Sequence, residues 1–159
     1  MAFDQLSQDE KEAQFAAFLL NMEDDVDELV EEAEQAGYAL DFSVNSLYEL
    51  ERYVLDMGVS FQDSSDTALL LRSKCWEYLG EVVVKNYNGR WKLSDNEENS
   101  ANRGMFVVVG HSYVEGIEFV PARYLRMFTT RRKPGMLVAI LESDVNPPKS
   151  ALDDFVFLQ

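Results

Sequence analysis

Between Phe15 and Ala33 the apolar residues Phe15, Phe18, Leu19, Met22, Val26, Leu29, Val30 and Ala33 recur at steps of three or four. That spacing draws a single stripe along one face of an α-helix. Ser7 and Glu10 stand before it at the Ser-x-x-Glu spacing that satisfies free backbone N–H groups at a helix start. Gly37 stands where a helix ends in the left-handed conformation. One long helix over about 8–36 follows, with a possible break near Asn21. The next segment, LDFSVNSLYELERYVLDMG, predicts a helix near 44–57, capped by Ser43 or Asp41 and closed by Gly58. Its inward residues are Leu47, Leu50 and Val54.

Two readings compete further on. In DTALLLRSKCWEYLGEVVVKNYNGRWKL, Asn88-Gly89 is a strong hairpin signal between apolar runs. Yet Ala68, Leu71, Cys75, Leu79, Val82 and Val83 keep helical spacing, and Asn88-Gly89 also suits a helix end. The preferred reading is a helix over 66–87, then a strand from Arg90 to Leu93. MFVVVG reads as a buried strand, and HSYVEGIEFVP as a turn plus a short strand. Pro121 suits the first turn of a helix running to about Arg132. After the break at Lys133-Pro134-Gly135, residues 136–142 fit a helix or a strand equally. FVFLQ closes the sequence, and its Phe155–Leu158 run is apolar enough to dock on the body or on a second copy, which would make a homo-oligomer. The expectation is a single α+β domain over 1–159, with N-terminal helices packed on a small antiparallel sheet and a further helix behind.

Charge changes this picture in one region. Of the net −15, residues 1–66 contribute eighteen carboxylates against only Lys11 and Arg52, whereas residues 67–159 are near neutral. The stretch NMEDDVDELVEEAEQ alone holds eight carboxylates and no base. On the first helix Asp24, Glu28 and Glu31 fall opposite the apolar stripe, and with Asp27 and Glu34 on their flanks they form an outer row. Like charges there meet at i, i+3 and i, i+4, a repulsion of roughly 2–4 kcal/mol at low salt before screening. Two compensations suggest themselves: arginines of the later helix (Arg123, Arg126, Arg131, Arg132), or an external basic partner. Such a surface repels nucleic acid and anionic membranes and speeds encounter with a basic protein. No secretory leader or membrane-spanning run is evident, so a cytoplasmic location is expected.

The signals for chemistry are few. Cys75 is alone and reads as a small buried hydrophobe. His111 is the sole histidine, in a turn where an exposed ring is the ordinary outcome. No nucleophile elbow or phosphate-binding glycine loop is present, and one Cys with one His makes no zinc set, so neither metal nor cofactor is expected. Glu77 and Glu81 sit one helical turn apart, a spacing that reads first as a solvated or hydrogen-bonded pair. Gly80 lies inside a helix at a cost of about 1 kcal/mol relative to Ala, which points to close approach by a neighbouring backbone. Glu77, Glu81, Trp91 and His111 are the residues around which a small-ligand pocket or enzyme site would form.

LDFSVNSLYEL followed by CWEYLGEVVVKNYNGRW resembles an uncharacterised bacterial domain family with the patterns Leu-Asp-x-Ser-x-x-Ser-Leu and Tyr-Leu-Gly-Glu-Val with a following Gly-x-Trp. Here these are Leu40, Asp41, Ser43, Ser46 and Leu47, then Tyr78, Leu79, Gly80, Glu81, Val82, Gly89 and Trp91. The resemblance spans residues 40–91; it implies the helical reading of 66–87 and no particular activity. Small acidic bacterial domains of this class and size include immunity proteins that block toxins. The expected function is a non-enzymatic acidic protein, an immunity protein or nucleic-acid mimic, that docks on a basic partner.

Overall fold

A computed structural model describes residues 7–95 and 101–147. The elements are α1 (Gln8–Gln35), α2 (Ser46–Asp56), α3 (Asp66–Tyr87), β1 (Arg90–Leu93), β2 (Phe106–Val109), α4 (Pro121–Arg131) and α5 (Met136–Val145). This is the α+β arrangement expected, with helices before and after a two-stranded antiparallel sheet. The apolar run Phe155–Leu158 lies outside the described residues.

α1 starts where its cap places it. Ser7 Oγ accepts the Glu10 N–H at 3.2 Å and donates to the Glu10 carboxylate. The helix runs from Gln8 to Gln35 as the single long helix expected, without a break at Asn21. Asn21 bonds its own helix instead, donating its side-chain amide to the Ala17 carbonyl. The stripe buries Met22, Val26, Leu29 and Ala33, but Leu19 at its margin is 43% exposed.

α2 begins at Ser46 through a two-step relay. Asp41 accepts from the Ser43 amide and hydroxyl, and Ser43 Oγ in turn accepts the Ser46 N–H. Phe42, between them, adopts φ +66°, an uncommon conformation for a bulky residue. α3 holds it there on both backbone groups. The Phe42 N–H donates to the Tyr78 hydroxyl at 2.9 Å, and Asn86 Nδ2 donates to the Phe42 carbonyl at 2.7 Å. Tyr78 also bonds the Ser46 hydroxyl, so the segments at 40–47 and 78–91 meet at one buried phenol. Tyr78→Phe is expected to lower stability by about 1–3 kcal/mol, because the part-buried Phe42 amide and the buried Ser46 hydroxyl lose their shared partner. Chemical denaturation would measure this, and an unchanged free energy would mean water replaces the phenol.

α3 is the central element and packs against α1, α4 and both strands. Ser65 caps its start and Asn88, in the left-handed conformation, ends it. The helical reading of 66–87 therefore holds. β1 and β2 pair with Trp91 opposite Val108. The short strand expected before Pro121 is reduced to one bridge, Phe119 to Val108. Residues 136–142 are helical. Their continuous apolar character reflects burial of Met136, Leu137, Val138 and Leu141. The start of α5 has no cap of its own; Glu51 of α2 supplies one, accepting the Gly135 N–H at 2.8 Å and the Leu137 N–H at 3.0 Å.

Candidate functional site

α1 turns its carboxylates outward in a row. Asp24, Asp27, Glu28, Glu31 and Glu34 are all exposed, because the stripe that buries Met22, Val26, Leu29 and Ala33 fixes the helix rotation. The arginines of α4 do not offset them. Arg123 instead reaches the Asn102 side chain at 2.5 Å and the Ala101 carbonyl at 2.9 Å. Asn102 bonds Glu118, which also accepts from the Ser94 hydroxyl, so Arg123 belongs to a polar knot beside the sheet.

The internal cation is Lys74 of α3, which the sequence reading passed over. It is 4% exposed and pairs with Glu28 at 2.9 Å and Glu32 at 3.5 Å. Burial opposes its charge, but the Glu28 hydrogen bond and the charges of Glu32 and Glu28 outweigh that and raise its pKa. The same bond lowers the pKa of Glu28. Among the described residues no cation lies within ion-pair distance of Asp24, Asp27, Glu31 or Glu34. The signal for Lys74 was its place in the inward sector of α3, one turn after Leu71 and one before Tyr78.

One turn on, Glu77 faces the same seam. It is 5% exposed, and no donor among the described residues reaches its buried Oε2. Burial, helped by the nearby Asp25 charge and opposed by Lys74, pushes its pKa up to about 8. Asp25 is also raised, mainly by burial. Glu81 does not share this site. It accepts the Trp91 indole N–H at 2.9 Å on the β1 side of α3.

Gly80 has a reason different from the one expected. The approach is by a side chain: a Cβ at Gly80 would lie 2.1 Å from Trp91 Cη2 and 3.1 Å from Pro121 Cγ. Trp91 is held there by Glu81 and by edge contacts with Phe18 and Trp76.

His111 is buried, not exposed as its turn suggested. Its Nε2 bonds the Asp144 carboxylate of α5, while its buried Nδ1 has no hydrogen-bond partner among the described residues. Burial raises the pKa of Asp144, and the hydrogen bond and charge of His111 act against that rise. Comparison with protein-family models, with curated proteins and with solved structures gives no match. The chain's own geometry therefore carries the functional reading.

Two open recesses lie along α5. One, of about 510 Å³, is lined by Tyr87, Ala139, Glu142, Ser143, Val145 and Asn146. The other, of about 420 Å³, has Ile117, Tyr124, Ile140 and Asp144 on its walls. Glu77, Glu81, Trp91 and His111 line neither. Cys75 is fully buried, and burial pushes its thiol pKa up to about 12, so the nucleophilic thiolate is suppressed. Among the described residues no group of three His, Cys, Asp or Glu side chains is placed to hold a metal ion, and no helix is long and apolar enough to cross a membrane.

Proposed function

We propose that this is a non-enzymatic acidic binding protein that docks the outer face of α1 on a basic protein, in the manner of an immunity protein or nucleic-acid mimic. The supporting observation is the exposed row Asp24, Asp27, Glu31 and Glu34, which has no cation within ion-pair distance among the described residues, while Lys74 serves Glu28 and Glu32. Carboxylates repelling one another along one helix face lose free energy when a basic surface covers them. Complementary charge of this kind acts chiefly on the association rate and on the choice of partner. The chemistry-bearing residues elsewhere bond to neighbouring elements: Glu81 to Trp91, and His111 to Asp144.

The test spares Glu28, which has a structural partner. Asp24→Asn, Asp27→Asn, Glu31→Gln and Glu34→Gln together should leave the melting midpoint unchanged or raise it at low salt, because helix-face repulsion disappears. Binding to a lysine-rich helical peptide should weaken at least tenfold at low salt, mostly through a slower on-rate. A pull-down comparing the two proteins as bait identifies any natural partner that depends on the row. Lowered stability of the variant at low salt, or equal peptide binding by both proteins, would overturn the docking role of this face.

A further inference from the structure

The seam between α1 and α3 places four carboxyl groups, Asp25, Glu28, Glu32 and Glu77, around one buried ammonium, Lys74. Glu28 and Glu32 sit at the wet margin and engage Lys74 directly. Glu77 is inside, near the Asp25 charge, with its Oε2 out of reach of any described donor. A carboxyl buried with an oxygen that no donor reaches is costly as an anion, so the site favours the protonated acid. We propose that Glu77 is a proton-operated latch of the α1–α3 seam, closed while it keeps its proton and loosened when it gives that proton up to solvent. The latch holds whether or not the outer row docks a partner.

The other elements packed on α3 direct their charged groups elsewhere. Glu51 of α2 caps α5, and Glu49 pairs with Arg52. Arg123 of α4 holds Asn102, Lys92 of β1 pairs with Asp95, and Arg90 lies against Gly110. Glu81 of α3 is bonded to Trp91. Among the described residues, Asp25 and Lys74, with the margin pair Glu28 and Glu32, remain to act on the latch. When the proton leaves, a second negative charge is stranded in the seam beside a single cation already shared by two carboxylates.

The sign follows from the direction of the shift. Glu77 binds its proton more tightly when folded than when exposed, so its contribution is fully present below about 4.5 and lost as pH rises toward about 8. Glu28, shifted the other way, loses its contribution only as pH falls below the ordinary carboxylate range. Lys74, raised, keeps its own until well above this window. The alkaline side of neutrality therefore reports on Glu77.

Hydrogen exchange on the intact protein, corrected for base catalysis, measures opening of the amides from Met22 to Ala33. Linkage of one proton predicts an opening constant that rises up to about tenfold per pH unit between pH 6 and 8. Glu77→Gln should abolish that rise while leaving exchange in α5 unchanged. Carbon-13 titration of the Glu77 carboxyl in the wild-type protein gives an independent reading, with a midpoint expected well above the ordinary glutamate range. A midpoint near 4.5 would overturn the latch even if the variant failed to fold. So would a rise of equal slope in the wild type and Glu77→Gln.

Discussion

Gly80→Ala is expected to destabilise the protein by roughly 1–3 kcal/mol, although alanine is the better helix former by about 1 kcal/mol. The added methyl would overlap the Trp91 ring, with Cζ2 only 2.2 Å away. The indole must then move, and its bond to Glu81 and its edge contact with Phe18, now at 5.0 Å between centroids, go with it. Thermal melts with tryptophan fluorescence would show a lower midpoint and an altered emission. The control is the same change in a Trp91→Ala background, where the methyl has room and helix propensity should make it neutral or stabilising. A raised midpoint in both backgrounds would mean that the ring does not constrain this glycine.

Loss of the Glu51 carboxylate should cost about as much or more. Glu51→Ala removes the acceptor for one buried and one part-buried amide at a helix N-terminus, and hydrogen bonds to charged groups contribute about 1.5–3 kcal/mol each. A total of roughly 3 kcal/mol is expected after partial relaxation. Glu51→Gln keeps one carbonyl oxygen and should fall between. Urea unfolding of the three proteins measures the series. A Glu51→Ala protein as stable as wild type would show that α5 needs no acceptor from α2.

These two sites mark where the sequence could be read and where it could not. α1, α2, α3 and α4 were legible because their stripes, caps and the proline at 121 lie within each segment. So was β1, once the helix was carried to Tyr87. α5 was not, since MLVAIL is apolar at every position and its start is fixed by Glu51, 84 residues earlier. The strand expected before Pro121 is a single bridge, Phe119 to Val108. The acid row of α1 was readable from helical period alone. Its counter-charge was not, because pairing Lys74 with Glu28 and Glu32 needs knowledge of which helices pack together. Gly80 announced a close approach without naming the indole. His111 gave no hint of burial, since Asp144 comes to it from 33 residues away.

The cap that α2 lends to α5 also carries a direction in time. Ser46–Asp56 leaves the ribosome long before Met136–Val145, so the template is made before the helix that depends on it. The last helix can dock onto a finished acceptor rather than wait for one. A circular permutant that moved α2 behind α5 would reverse that order and leave the MLVAIL run exposed while it waited, with its amides open to pairing as a strand.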